Sequence, residues 1–275
     1  MLAMLILNKV NLRNRIVAAS ALLFLVLQTS VCTSQEKRQT ADQLKSLQTV
    51  AEKSNYLATA DEKEVLQYLL KLDEASPFAS QFQIGSTIEG RPIQALILSK
   101  ELRPTLPLPT TDERLVVVLL GGIHSGECDG KESLLALARD LLADSAPKYL
   151  DKAVLVFIPN FNADGNERIG TLHRPGQEGP DRGMGTRENA IALDLNRDFI
   201  KLDSPEVRSL VRMLDVWDAD VLIDTHTTNG SLHQYDLTYD VPHNPCANQA
   251  LVQWMRKEML PKITSDMATM VARCG

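Results

Sequence analysis

Residues Leu115–Glu127 read L-V-V-V-L-L-G-G-I-H-S-G-E, and the predicted fold depends on this stretch. The valines and leucines at its start are typical of a strand buried within a sheet. Two glycines end that strand, and His124 and Glu127 follow in the loop where α/β proteins often hold functional side chains. Gly126 permits a tight turn, so an imidazole and a carboxylate can converge on one cation. The alternative is a surface turn that contains both residues by chance.

Apolar runs and amphipathic segments alternate along the rest of the chain. Further buried strands are predicted at 153–159 and 221–224, and an edge hairpin at 84–99. Helices are predicted at 60–73, 131–144 and 204–216, the first opened by a capping box from Thr59 to Glu62. The glycine-rich stretch 167–189 is predicted to be a long loop. This alternation predicts an α/β fold with a mostly parallel sheet.

The composition is that of a globular protein, because 44% of the 275 residues are hydrophobic and 23% are charged. A net charge of -6 excludes the basic surface that nucleic acids require. Residues 1–32 combine basic residues with the uncharged stretch Ile16–Leu27, which predicts a signal peptide and export to the periplasm or medium. An uncleaved membrane anchor and a lipid anchor on Cys32 are the alternatives. The polar segment 33–58 is predicted to be a linker ahead of a domain at 59–275.

A third candidate ligand follows another predicted strand. His226 lies in D-T-H-T-T directly after the apolar run 221–224. Together with His124 and Glu127 it gives two imidazoles and one carboxylate, which leave an open position for water on zinc. Other divalent ions accept the same ligands. His226 could instead be a core histidine, but its polar neighbours disfavour that alternative. The default prediction for the other histidines is solvated surface: His173, His233 and His243.

Four motifs resemble the zinc carboxypeptidase family in the family's order, from about residue 59 to the end. They are G-S-T-I-E-G-R-P-I at 85–93, H-S-G-E at 124–127, L-D-L-N-R-D-F at 193–199 and D-T-H-T-T at 224–228. The resemblance implies a mixed, mostly parallel twisted sheet flanked by helices. It also implies one zinc ion on His124, Glu127 and His226.

The resemblance also implies roles for residues outside the ligand set. Asn196 and Arg197 match a pair that holds the carboxylate terminus of the substrate, and a planar guanidinium suits a carboxylate without that resemblance. The alternative is that Arg197 pairs with Asp198 or Asp203 on the surface. Asp194 matches a carboxylate that orients the first histidine ligand. The family's oxyanion-stabilising arginine is assigned first to Arg174, next to Arg187 and then to Arg182.

Two departures from the family pattern limit what the resemblance implies. Gly126 stands where many digestive members have an arginine that contacts longer peptides. The family's general-base glutamate follows the last histidine ligand, but Glu258 is the only glutamate after His226. Because Glu258 is predicted to lie on the solvated face of a helix, we expect a chain truncated at its C-terminus that lacks the general base.

The sequence therefore predicts a zinc-dependent metallocarboxypeptidase that hydrolyses C-terminal peptide bonds through a metal-activated water. One alternative is an N-acyl amino acid deacylase similar to aspartoacylase and succinylglutamate desuccinylase. The other is an inactive, zinc-containing module that binds peptides. The expected partner is a peptide or an N-acyl amino acid. No nucleic-acid partner is expected, and contact with a membrane is expected only through a lipid anchor at Cys32.

Overall fold

The computed structural model describes residues 41–101, 104, 106–144, 147–227, 230–231 and 238–274, in two compact units divided after Gly230. The predicted signal peptide and Cys32 lie outside these residues. The helices are α1 (Val50–Lys53), α2 (Glu62–Ala75), α3 (Cys128–Leu142), α4 (Ala163–Asn166), α5 (Pro205–Val216), α6 (Gln249–Trp254) and α7 (Leu260–Cys274). The strands are β1 (Ala79–Ser86), β2 (Pro92–Leu98), β3 (Leu115–Gly121), β4 (Ala153–Ile158) and β5 (Val221–Thr225).

The strands form one mixed sheet in the order β1-β2-β4-β3-β5. β3 runs parallel to both β4 and β5, with Val118 opposite Val156 on one side and Leu222 on the other. β1 and β2 form the antiparallel hairpin, and β2 is also antiparallel to β4. The predicted mixed α/β sheet is therefore confirmed. Its parallel part consists of the three strands that the apolar runs predicted.

Helices cover both faces of the sheet. Successive side chains of a strand point to opposite faces, so Leu119 of β3 joins one core cluster and Val118 joins the other. Leu69 of α2 and Leu135 of α3 pack in the cluster that contains Leu119. Leu210 of α5 packs in the cluster that contains Val118. These two layers hold the carboxyl ends of β3 and β5 in fixed positions.

The N-terminal boundary of α2 differs from the prediction. Its capping box is formed by Asp61 and Glu64, so the helix begins at Glu62. The hydroxyl of Thr59 instead donates to Oε1 of Glu132, 2.8 Å away on α3. The pairs Thr59–Glu62 and Asp61–Glu64 both match the capping pattern in sequence. Because the Thr59 hydroxyl bonds to Glu132, the Asp61–Glu64 pair caps the helix.

Part of the predicted linker packs against the domain. Residues 41–46 are helical, and α1 follows with a capping box from Thr49 to Glu52. Leu44 and Ala51 are buried, and Arg139 of α3 donates to Oε2 of Glu52 at 2.5 Å. The packed region thus extends to the N-terminal side of residue 59. The division into signal peptide, linker and catalytic domain stays a prediction.

The second unit is largely helical. α6 and α7 are joined by a π-helical turn at Met255–Met259. Glu258 lies in this turn and is exposed, as the sequence predicts. Among the residues with described positions, no helix is both long enough and apolar enough to cross a membrane.

Candidate metal centre

The sheet brings the three predicted ligands together. Gly121 at the end of β3 faces Thr225 at the end of β5, so the loops that follow both strands leave the sheet side by side. His124 and Glu127 lie in the first loop, and His226 is the residue after β5. One donor atom from each of the three lies within 4.8 Å of the other two. A single metal ion can therefore contact all three side chains.

His124 is held from both sides of its ring. Nδ1 lies 2.9 Å from Oε1 of Glu127, and Nε2 lies 3.0 Å from Oδ1 of Asp194. The ring is buried and meets the ring of His226 edge-on, with the centroids 5.1 Å apart. In the metal-free ring Nδ1 contacts Glu127, and once a metal ion takes Nδ1 the Asp194 carboxylate would hold the remaining ring proton on Nε2. The position of Asp194 is the one expected for a residue that orients a histidine ligand.

Glu127 is ionised although its side chain is only 3% exposed. Burial alone would raise its pKa, but hydrogen bonds from His124, the backbone N–H of Thr227 and Arg174 lower the pKa to about 2. The Thr227 nitrogen lies 2.9 Å from Oε2, and the Arg174 guanidinium donates to Oε1. Thr227 was not singled out by the sequence, because a backbone donor carries no side-chain signal.

His226 lies at the more open side of the cluster, with about a third of its side chain exposed. Its Nδ1 is 3.0 Å from Oδ1 of Asp224, and its Nε2 is 3.1 Å from Nδ2 of Asn196. The hydrogen bond that His226 donates to Asp224 raises the pKa of His226, and burial opposes that shift. Asn196 therefore adjoins a ligand directly.

Two of the three candidate arginines reach the ligands. Arg174 is buried and donates to Oε1 of Glu127, and its Nε donates to Oε1 of Gln177 at 2.8 Å. Arg187 is more exposed and forms a two-point pair with Oδ2 of Asp194 at 3.0 and 2.9 Å. Its Nη1 also lies 3.4 Å from Nδ1 of His124. Arg182 is exposed.

Asn196 and Arg197 lie on a 3-10 helical turn, Leu195–Arg197, that Asp194 caps. Arg197 is exposed, and its Nη1 donates to the carbonyl of Asn196 at 3.1 Å. The proposed surface partner Asp198 is buried and accepts hydrogen bonds from Asp203 and Ser204. These contacts leave the Arg197 guanidinium facing solvent.

The donor set fits zinc. Two imidazoles and one carboxylate are typical of catalytic zinc sites that keep one position for water. Asp194 orients one imidazole, and the hydrogen bonds to Glu127 keep its carboxylate ionised. Two other histidines are exposed surface residues, as predicted: His173 and His243. The third, His233, lies outside the described residues.

Comparison with known sequences identifies the family. The sequence model of the zinc carboxypeptidase family matches residues 65–270, most of the chain. The chain belongs to the zinc carboxypeptidase family. That match includes the region of all three ligands and of the Asn196–Arg197 turn, so the resemblance seen in the motifs is confirmed at the level of the family.

Relatives of this zinc carboxypeptidase chain include carboxypeptidase E of Caenorhabditis elegans and carboxypeptidase D of Mus musculus. The first is 31% identical over 142 residues, covering 49% of this chain and 28% of the relative. The second is 30% identical over 164 residues, covering 48% of this chain and 11% of the relative. The chain thus spans less than a third of the curated relatives that it matches.

A solved structure shows the same fold. Carboxypeptidase A from Helicoverpa armigera aligns with a TM-score of 0.50 and 19% identity. The alignment covers 70% of this chain and 53% of that protein. Residues of this zinc carboxypeptidase chain therefore form about half of a known carboxypeptidase fold.

Proposed function

We propose that the whole protein is a zinc-dependent metallocarboxypeptidase that hydrolyses C-terminal peptide bonds. The observation that carries the proposal is the convergence of His124, Glu127 and His226 at the carboxyl ends of two parallel strands. Family membership supports this reaction over the deacylase and the inactive peptide-binding module, although all three would use the same ligands. Export also belongs to the proposal, on the sequence of residues 1–32.

The metal would supply a water of lowered pKa and polarise the scissile carbonyl when bound. The side chains around it have separate tasks. With Nδ1 of His124 on the metal, Asp194 would hold the ring proton on Nε2. The hydrogen bonds to Glu127 keep the second ligand ionised at neutral pH. We assign no residue of the described chain as the general base.

We assign the oxyanion-stabilising role to Arg187 in preference to Arg174. Arg174 is buried and held against the carboxylate of Glu127, which is itself a ligand, so it has little exposed surface to offer a substrate. Arg187 is less buried, and its Nη1 lies beside the ring of His124. A guanidinium in that position can donate to a carbonyl oxygen that gains negative charge next to the metal.

We assign recognition of the substrate carboxylate to Asn196 and Arg197. Both side chains come from one short turn, and Asn196 adjoins His226. The exposed guanidinium of Arg197 can form two parallel hydrogen bonds with a carboxylate. This arrangement places a C-terminal residue next to the metal centre and favours an exopeptidase over an enzyme that cleaves internal bonds.

The first test is the metal content of the purified chain after dialysis. We expect about one zinc ion per chain in the wild type, and its loss in His124→Ala and His226→Ala, since each variant leaves two ligands. His243→Ala is the matched control, because His243 is exposed and its Nε2 contacts Asp240. Negligible zinc in a folded wild type would refute the proposal, and so would equal zinc content in all four proteins.

A further inference from the structure

Three loops of the first unit meet at one buried asparagine. The ligand loop comprises residues 121–127, the turn after β4 comprises residues 159–166, and the arginine loop comprises residues 184–189. Asn162 lies in the turn after β4 and has no exposed surface. No role was predicted for this residue, although its motif N-F-N-A-D-G-N at 160–166 follows a buried strand in the same way as the ligand loop.

The Asn162 side chain bonds to both neighbouring loops. Its Nδ2 lies 3.4 Å from the carbonyl oxygen of Ile123, directly before the ligand His124. The same nitrogen lies 3.4 and 3.2 Å from the carbonyl oxygens of Arg187 and Glu188. One amide group thus connects the peptide that carries a metal ligand with the peptide that carries the proposed oxyanion arginine.

The backbone of Asn162 bonds to the ligand loop as well. Its N–H donates to the carbonyl of Gly122 at 3.0 Å. Gly122 has a φ of +68°, a backbone conformation that favours glycine. Its carbonyl accepts a hydrogen bond of 2.5 Å from the hydroxyl of Ser125. The ligand loop is therefore tied to Asn162 on both sides of His124.

Glycines allow the loops to approach each other this closely. A Cβ added to Gly165 would lie 2.7 Å from Nδ2 of Asn162 and 2.8 Å from Oγ of Ser125. A Cβ added to Gly185 would lie 2.5 Å from the carbonyl oxygen of Gly165. Because backbone packs against backbone here, the three loops cannot shift independently.

We propose that Asn162 is a positioning residue of the metal centre. It fixes the separation between the ligand loop and the arginine loop, so that the Arg187 guanidinium meets Asp194 and His124. This inference rests on the proposed function, because it assigns Asn162 a task at that site. The distances that depend on it are 3.0 and 2.9 Å from Arg187 to Asp194 and 3.4 Å to His124.

The chemistry of the amide separates this role from that of a helix cap. Oδ1 of Asn162 accepts from the N–H of Gly165 and caps α4, and an aspartate would do the same. Only the amide nitrogen can donate to the three carbonyl oxygens, because a carboxylate is an acceptor only. Asn162→Asp therefore keeps the cap and removes the bonds between the loops.

The experiment compares Asn162→Asp with Asn166→Asp in the full 275-residue chain. Asn166 is buried in the same short helix, but its side chain bonds to Ala60 and Lys131. Zinc affinity is measured by competition with a chromogenic chelator, and thermal stability is measured alongside. We expect Asn162→Asp to lower zinc affinity about 10- to 100-fold, the range for residues that orient ligands, and Asn166→Asp to leave it nearly unchanged.

Unchanged zinc affinity in a folded Asn162→Asp variant, or equal losses in both variants, would overturn the inference. If Asn162→Asp does not fold, Ser125→Ala decides, because it removes the bond from the ligand loop to the Asn162 carbonyl. A loss of zinc affinity in Ser125→Ala, smaller than the loss expected for Asn162→Asp, supports the inference. An unchanged affinity overturns it.

A wild type that binds no zinc would refute the proposed function and still leave the positioning role open to test. The NMR signal of the Arg187 Nε–H group is then compared in the metal-free variants. A shift in Asn162→Asp that Asn166→Asp does not produce supports the positioning role. Equal signals in both variants overturn it.

Discussion

At the scale of single residues, the two arginines at the metal centre differ in the carboxylate that they pair with. Arg174 is 7% exposed and neutralises the Glu127 carboxylate, whereas Arg187 is 31% exposed and pairs with Asp194. The sequence could not separate them, because both lie in one irregular loop and both are close in sequence to glycines. Arg174 contacts Glu127, which is 47 positions earlier in the chain, and Arg187 contacts Asp194, which is 7 positions later. The roles of the two arginines depend on these contacts.

Substitution of these arginines should have unequal effects on the metal-free chain. Arg174→Met leaves a buried carboxylate without its cation, which costs about 3 kcal/mol of unfolding free energy or more. Arg187→Met breaks a more exposed pair and costs about 1 kcal/mol or less. Urea denaturation after metal removal measures both. Saturating zinc should restore part of the loss in Arg174→Met, and equal losses in the two variants would contradict the assignment.

Arg197 allows a direct test of carboxylate recognition. We expect Arg197→Ala to weaken binding of a dipeptide to the zinc-loaded chain about 10- to 100-fold, because charge-assisted hydrogen bonds are lost. The C-terminal amide of the same dipeptide should bind the wild type and the variant equally. Calorimetry measures both ligands, and Arg182→Ala controls for the lost charge. An equal effect on the acid and the amide would exclude this role for Arg197.

At the scale of secondary-structure elements, the sequence predicted strands better than loops. The apolar runs located β3, β4 and β5 nearly to the residue. β3 and β4 are largely buried, as such runs predict, whereas the prediction of a buried strand is wrong for β5, whose side chains are exposed. The order of ligands along these strands then predicted the metal centre. Asn162 was missed because its partners are backbone carbonyls of other loops, and no side-chain pattern in the sequence records them.

The first turn of α2 contains a buried acid that makes stability depend on pH. Burial raises the pKa of Glu62 to about 8, although the hydrogen bond that Asn160 donates to its Oε2 at 2.5 Å lowers it. Glu167 also raises this pKa, whereas Lys131 and Arg91 lower it. Because the folded-state pKa is raised, the contribution of Glu62 to the free energy of unfolding is fully present below the unfolded-state pKa. It is lost as pH rises toward about 8.

Glu62→Gln should therefore flatten the decline of stability between pH 5 and pH 8. The wild type loses up to about 1.4 kcal/mol of unfolding free energy per pH unit through this group. Urea denaturation at several pH values gives the difference in slope between the two proteins. Glu74→Gln, at an exposed position near the end of α2, is the control and should keep the wild-type slope. Parallel curves for wild type and Glu62→Gln would contradict the role of Glu62.

At the scale of the whole molecule, the sheet has unlike edges. β1 and β5 each have one neighbour in the described part of the chain, β2 and β3 respectively, but the side chains of β5 are more exposed. Apolar side chains of β5 are 38–46% exposed: Val221, Leu222 and Ile223. An apolar strand at the edge of a sheet favours pairing with another chain.

We expect the 275-residue chain to self-associate through β5 at high concentration. Ile223→Lys should raise the concentration at which association begins, because a charge on an edge strand opposes strand pairing. Leu172→Lys is the control, since Leu172 is 82% exposed in a loop. Sedimentation velocity measures the association. Equal effects of the two lysine substitutions would indicate general solubility instead of edge pairing.

Gly126 constrains the order in which substitutions can accumulate at this site. A Cβ at this position would lie 2.9 Å from Cγ of Arg174 and 2.7 Å from the carbonyl oxygen of Gly185. An arginine at 126 is thus incompatible with the present positions of the Arg174 side chain and the Gly185 carbonyl. An evolutionary path between the two arrangements must change residue 174 and its loop first, and the reverse order passes through an intermediate with a steric clash.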